Sequence, residues 1–269
     1  MLIMSILLFL LLCLYLLLLI PRKGHPAWDT LAAYRYAHRG LHDKAQGIPE
    51  NSLTAFRRAV DHGFGAELDI HLLKDGSLAV FHDSSLQRIC GVEGKIEDLT
   101  AQDLKKYHLL GTEETIPLFT DVLALFADKT PLIVELKVVD DNAAALTDAA
   151  MAVLRNWNGT YCVESFHPAA IRHMKQHYPD VIRGQLSENF FHNRKMSIPT
   201  AFLATFLLTT AFTRPDFIAY SYRDRKNISL RLMRKLYGVH EVGWTIRDPS
   251  VMAQLEQDGV TPIFENFIP

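Results

Sequence analysis

Cysteine is scarce in this chain. Only Cys13, Cys90 and Cys162 occur in 269 residues, an odd and scattered set with Cys13 inside an apolar run. That excludes a disulfide framework and a zinc-ligand pattern, and it allows a reducing compartment. An excess of charge is missing too: 28 Lys and Arg stand against 30 Asp and Glu, for a formal net charge of -2. No basic stripe interleaved with aromatics occurs, so nucleic acid is not an expected partner. No repeat or low-complexity tract follows residue 20. No glycine-rich phosphate turn follows the first expected strand, which argues against a doubly wound open sheet.

Residues 1–20 lack any charged side chain. A helix of that length spans roughly 30 Å, the thickness of a bilayer core. A signal peptide would want a basic start and a small-x-small cleavage site. This run instead ends Leu19-Ile20-Pro21-Arg22-Lys23. The expectation is a single-pass, uncleaved membrane anchor over 1–20, a linker over 21–33 and one domain over 34–269. Arg22 and Lys23 lie on the C-terminal side only, so the positive-inside rule places that domain in the cytoplasm.

Within the domain, short apolar runs alternate with amphipathic helical patterns. Strands are expected at 34–37, 66–70, 78–82, 132–136, 161–165, 182–186, 217–221, 242–246 and 262–264. Helices are expected after Asn51, read as an N-cap, and from a capping box at Thr100–Asp103 with a Leu99–Leu104 staple. Further helices fall around Leu118–Phe126, at 142–155, 168–177, within 198–212, at 229–237 and at 249–257. The Lys74-Asp75-Gly76 turn is too short for a parallel crossover, so 67–82 reads as a hairpin that folds back. Without that arm, eight strands alternate with helices. This predicts an α/β fold, a (β/α)8 TIM barrel with a β-hairpin arm after strand two, with function at the C-terminal strand ends.

The polar residues gather at those ends. His38-Arg39-Gly40 closes the first strand, and Pro49-Glu50-Asn51 follows. Glu67 and Asp69 are two apart on a strand and so share a face. His82-Asp83 ends the hairpin, and Glu135-Leu136-Lys137 ends the next barrel strand. Two histidines near neutral pH supply a base and an acid, as phosphodiester cleavage requires. Unpaired carboxylates at Glu67, Asp69 and Glu135 would cost several kcal/mol, so a cation is expected. An all-oxygen set suits Mg²⁺ or Ca²⁺ over Zn²⁺. The plain alternative is a salt-bridge network with Arg39 and Lys137. Those two cations otherwise hold a phosphate. Glu50 either reaches the site or only favours its helix N-terminus. Trp244 either lines the mouth or fills the core.

These motifs, with Lys74-Asp75-Gly76 and Trp244-Thr245-Ile246, resemble the glycerophosphodiester phosphodiesterase family in order and across nearly all of 34–269. The resemblance implies a barrel of the phospholipase C-like type and a divalent metal. It implies His38 and His82 as acid–base pair, with Glu67, Asp69 and Glu135 as metal ligands and Arg39 and Lys137 on the phosphate. The implied substrate is a glycerophosphodiester, cleaved to sn-glycerol 3-phosphate and an alcohol. A lysophospholipid is the alternative substrate, and a catalytically silent, membrane-tethered binding barrel the alternative role. One departure stands out: family members commonly close with Thr-Asp, whereas this chain reads Phe264-Glu265-Asn266. A second is Ile198–Phe212, an uncharged stretch flanked by Arg194, Lys195 and Arg214 that follows Ser187–Met196. It is expected either to pack as a barrel helix or to lie against membrane lipid beside the site.

Overall fold

The computed structural model describes residues 1–192 and 196–269. Its nine strands are β1 (Tyr36–His38), β2 (Gly65–Leu72), β3 (Leu78–Val80), β4 (Leu132–Leu136), β5 (Tyr161–Ser165), β6 (Arg183–Ser187), β7 (Phe217–Ser221), β8 (His240–Ile246) and β9 (Val260–Phe264). The helices are α1 (Leu2–Leu18), α2 (Trp28–Ala32), α3 (Leu53–Asp61), α4 (Gln87–Cys90), α5 (Phe119–Phe126), α6 (Ala143–Leu154), α7 (Pro168–His177), α8 (Ile198–Thr205), α9 (Thr210–Thr213), α10 (Ile228–Tyr237) and α11 (Pro249–Gln257).

All strands but β3 run parallel, in the order β1-β9-β8-β7-β6-β5-β4-β2, and β1 pairs with β2 to close the barrel. The strands are buried on both faces, as a barrel packed inside and covered by helices outside requires. β3 is the expected arm. It pairs antiparallel with β2, Ile70 opposite Val80, and Phe81 N–H donates to the Asp69 carbonyl at 3.0 Å. The chain leaving β3 is thereby returned to the rim beside Asp69.

The barrel interior is layered by the period of two along each strand. Tyr36, Ile133, Cys162, Val242 and Ile263 belong to one apolar cluster. α2 closes that end: Trp28 joins the cluster and stacks on His240, and the Tyr36 hydroxyl donates to the Leu31 carbonyl. Two residues further along the same strands come His38, Glu135, Glu164, Trp244 and Glu265. The barrel therefore has an apolar floor and a polar rim.

Several local expectations change. The cap of α3 is Ser52, whose hydroxyl accepts from Ala55 N–H; Asn51 turns inward instead. Thr100 donates both its N–H and its hydroxyl to Asp103 Oδ2, half of a capping box, but only a 3-10 turn, Leu104–Lys106, follows. The 198–212 stretch is broken into α8 and α9 at Leu207, which has φ 57°. Ala201, Thr205, Leu207 and Thr210 are buried there, while Ile198, Phe202 and Phe212 are exposed. Arg194 and Lys195, the expected basic flanks, lie outside the described residues.

The anchor expectation is overturned. α1 has 17 residues, on the order of 25 Å at 1.5 Å per residue. Its end is tied to the barrel wall: Leu19 is fully buried with Leu207, Ile218, Leu230 and Met233. Thr210 and Tyr237 hydroxyls donate to the Leu18 and Leu16 carbonyls, and Tyr15 bonds Ser229. Among the described residues no helix is long and apolar enough to cross a membrane. The single-pass anchor over residues 1–20 is withdrawn, and with it the cytoplasmic orientation deduced from Arg22 and Lys23. Arg22 instead pairs with the buried Asp216.

Gly40 is the residue on which the entry to the site turns. It sits at φ 78°, and a Cβ there would lie 2.9 Å from the Ala55 carbonyl carbon. Both the left-handed backbone and the contact with α3 exclude a side chain. Gly40→Ala is expected to lower stability by about 2–3 kcal/mol through strain and overpacking. A denaturant midpoint within error of wild type, at equal slope, would contradict this.

Candidate active site

The rim is built from the C-terminal ends of the strands and the turns that follow them. β1 ends in His38, and the turn after it places Arg39 at φ 55°. Arg39 N–H donates to Glu67 Oε2 at 3.2 Å, and its guanidinium meets Glu50 at 2.7 Å and Asp69 at 3.4 Å. Glu50 also receives two bonds from Arg88. Glu50 therefore reaches the site, by holding Arg39. Burial works against its ionisation, but Arg88 and Arg39 outweigh it and bring its pKa down to about 2.

Glu67, Asp69 and Glu135 are all buried and offer carboxylate oxygens within 4.8 Å of one another. β2 supplies the first two, and β4, registered with Asp69 opposite Glu135, supplies the third. Lys137 bridges Asp69 at 2.9 Å and Glu135 at 2.8 Å. Asn51 Nδ2 donates to Asp69 Oδ2 at 2.9 Å. The environment splits the three carboxyls. Burial opposes the ionisation of Asp69, yet Lys137 and Arg39 prevail and hold it well below the usual range. Burial, with Asp69 and Glu135 nearby, drives Glu67 well above it. Burial also raises Glu135, to about 7 against the pull of Lys137. Lys137 is raised: its desolvation is outweighed by the two carboxylates.

Glu164 is a further buried carboxyl, opposite Glu135 in the β4–β5 register. Its Oε2 has no hydrogen-bond partner among the described residues. Burial and the Glu135 charge push its pKa well up. The local sequence already carried the signal: a Glu in the middle of an apolar strand, placed like Glu135.

Both histidines are held by carboxylates. His38 Nδ1 lies 2.5 Å from Glu265 Oε2, and its Nε2 lies 3.8 Å from Glu67. His82 Nδ1 lies 2.5 Å from Asp83, which Arg88 pins in turn. Burial lowers both imidazole pKa values, His82 to about 4. His71, buried on β2, contacts Glu97 at 2.7 Å and the His82 carbonyl at 3.1 Å, so it braces the returning arm. Glu265 also contacts Arg247 at 2.5 Å and faces His42 at 3.7 Å. The Glu265 position, which departs from the Thr-Asp closing pair, is therefore where the last strand grips His38.

Trp244 packs edge-on against Phe166, with 5.5 Å between centroids, at the border of the apolar floor. Its indole N–H has no partner among the described residues. It lines the mouth as well as filling the core.

A metal fits this donor set. Oxygen ligands about 2.3–2.6 Å from Ca²⁺ lie at most about 5 Å apart, which the three carboxyls satisfy. Arg39 and Lys137 do not balance the buried carboxyls, since Glu67, Glu135 and Glu164 are all driven toward protonation. Such an arrangement is electrostatically ready for a further cation.

Fold and rim together define a TIM barrel with two carboxylate-held histidines beside a buried carboxylate cluster. A sequence model of the glycerophosphoryl diester phosphodiesterase family matches residues 38–269, and the chain belongs to that family. A glycerophosphodiester phosphodiesterase from Caldanaerobacter subterraneus subsp. tengcongensis is 31% identical over 160 residues, 56% of this chain and 65% of that one. Another, from Bacillus altitudinis, is 36% identical over 111 residues, 38% of this chain and 44% of that one. The matches thus span less than two thirds of these relatives' own lengths. Among solved structures, an Oleispira antarctica phosphodiesterase in complex with sn-glycerol-3-phosphate superposes with TM-score 0.68 at 21% identity, covering 86% of this chain and 92% of that one. That likeness is one of fold.

Ca²⁺ or Mg²⁺ at about a hundredfold over its Kd should stabilise the folded chain by about 2.7 kcal/mol, raising the melting temperature by about 5–10 °C. Asp69→Asn and Glu135→Gln should each abolish most of that rise. A wild-type melting temperature indifferent to both ions would contradict the metal-site reading.

Proposed function

We propose that residues 34–269 form a metal-dependent phosphodiesterase that hydrolyses glycerophosphodiesters to sn-glycerol 3-phosphate and an alcohol. The observation that carries this reading is the pair of histidines, each gripped at Nδ1 by a carboxylate, beside a buried cluster that also presents Arg39 and Lys137. The grip orients each ring and leaves Nε2 to exchange a proton with a ligand.

Arg39 and Lys137 attract and orient the diester's phosphate. Burial favours the uncharged form of both imidazoles. One imidazole takes the proton of the attacking oxygen, which comes from water or from the substrate's own 2-hydroxyl. The anionic phosphate beside the other favours its protonated form. That imidazole gives its proton to the alcohol oxygen as the P–O bond breaks. If the 2-hydroxyl attacks, a cyclic phosphate forms and water then opens it; by either route the sum is water added across one P–O bond. Glu67, Asp69 and Glu135 would hold Mg²⁺ or Ca²⁺, which supplies charge stabilisation at the phosphoryl oxygens. The floor and the α2 plug keep bulk water from the lower face, so these charges act in a poorly screened medium.

Glycerophosphocholine turnover tests the reading. His38→Ala and His82→Ala should each lower kcat on the order of 10²–10⁴-fold with the fold intact. Excess chelator should abolish turnover, and Mg²⁺ or Ca²⁺ should restore it. Near wild-type kcat in either variant would remove that histidine from the mechanism.

Glu265 acts here as a positioning residue for His38. Glu265→Gln should lower kcat roughly 10–100-fold with little change in KM, and Glu265→Asp should recover part of the loss. If KM moves while kcat holds, Glu265 serves binding or structure only.

A further inference from the structure

The flank of the barrel carries a charge pattern that the chemistry at the rim does not use. A cleft of about 810 Å³ lies between α10 and α11. Six cationic side chains line it: Arg223, Arg225, Lys226, Arg231, Arg234 and Lys235. The first three come from the turn that follows β7. The other three lie on α10, three and four residues apart, and so share one face of that helix. α11 adds Val251 and Leu255 to the lining, and Asp258 follows that helix.

Two carboxylates offset part of this charge. Glu241, buried on β8, meets Arg225 at 3.0 Å and Arg234 at 2.6 Å. Asp258 meets Arg225 at 2.7 Å. Two guanidiniums are thereby anchored against the barrel wall. Arg223, Lys226, Arg231 and Lys235 pair with no carboxylate among the described residues. A chain with a formal net charge of -2 thus gathers unbalanced positive charge at one concavity. Like charges at such helical spacings repel one another and stabilise nothing in the empty cleft. A concave wall of one sign focuses the potential and draws in ions of the other. Arginine's fork suits the oxygens of a phosphoryl group. A single phosphate carries only about two charges and would fill a small part of this volume.

We propose that the cleft between α10 and α11 binds a small anion with two or more phosphoryl groups, held by Arg223, Lys226, Arg231 and Lys235. The site is separate from the carboxylate rim, and its occupant is a ligand and not the substrate. An inorganic polyphosphate and a nucleoside polyphosphate share this chemistry, and Val251 and Leu255 offer the second a place for its organic part.

The test is calorimetric titration of the full chain with tripolyphosphate, in metal-free buffer because the probe chelates divalent ions. One tripolyphosphate should bind per chain, at least about tenfold tighter than inorganic phosphate, and more weakly as salt rises. ATP is titrated beside it: tighter binding assigns the apolar wall to a nucleoside, and equal binding assigns the site to the phosphoryl chain alone. The double variant Arg231→Gln with Lys235→Gln should weaken binding of tripolyphosphate at least about tenfold. Both side chains are exposed, so its melting temperature should match or exceed that of wild type. Arg223→Gln with Lys226→Gln, in the turn before α10, makes the same test should the helix variant fail to fold. An unchanged Kd in these variants would place the anion elsewhere and overturn the proposal. So would inorganic phosphate binding as tightly as tripolyphosphate, or no binding of either. Binding to phosphatidylglycerol vesicles without binding of free tripolyphosphate would also overturn it, by pointing to a lipid surface in place of a small ligand.

Discussion

Buried negative charge at the polar rim is the constraint around which the rest of this protein is arranged. Glu67, Asp69, Glu135 and Glu164 are all withdrawn from water, with Arg39 and Lys137 beside them. An ionised carboxylate in such a place costs several kcal/mol unless it is paired, protonated or bound to a cation. The chain uses the first two remedies unevenly: Asp69 is paired and Asn51 bonds it, while Glu67 and Glu164 are pushed toward the proton-bearing form. An arrangement this lopsided is suited to exchanging protons for a divalent ion. It also draws strength from its surroundings, because Tyr36, Ile133, Cys162 and Ile263 form a dry floor one step below.

From that constraint the supports follow. The left-handed turn at Arg39 and Gly40 brings a backbone N–H to Glu67 and a guanidinium to Asp69 in one bend. The β2–β3 arm carries His82 back to the same rim, and His71 braces it from below. Glu265, after β9, and Asp83, after β3, hold the two imidazoles. Each support is a hydrogen bond or a register contact. The site's geometry is thus set by the strand ends and by the hydrogen-bonded turns that follow them.

Much of this was legible in the residues. Alternating apolar runs predict the barrel, and the short Lys-Asp-Gly turn predicts the arm. The two-residue spacing of Glu67 and Asp69 predicts a shared face, and these three readings agree with the structure. The same spacing, carried from Ile263 to Glu265 and from Cys162 to Glu164, points to the two carboxyls that motif reading passed over. They were hidden because Glu265 departs from the family's closing pair and Glu164 sits in no motif. Asn51 was misread for a related reason. An Asn before a helix looks like a cap, but Ser52 takes that role and frees Asn51 to face Asp69. The apolar run at the start misled in another way. Hydropathy counts residues, and it has no view of Leu19 docked between Leu207 and Met233, nor of a helix that stops at 17 residues. Ile198–Phe212 likewise read as one stretch, because nothing local announces the left-handed Leu207 that divides it.

The central claim is that the rim holds a divalent cation on Glu67, Asp69 and Glu135. The most direct measurement is a crystal soaked in Mn²⁺, a hard ion that takes oxygen ligands and scatters anomalously. The account predicts one anomalous peak about 2.0–2.6 Å from an oxygen of each carboxyl, with the Lys137 ammonium withdrawn from Glu135. No peak, with Lys137 still bridging Asp69 and Glu135, would show that the cluster is closed by its own ion pairs and would contradict the account.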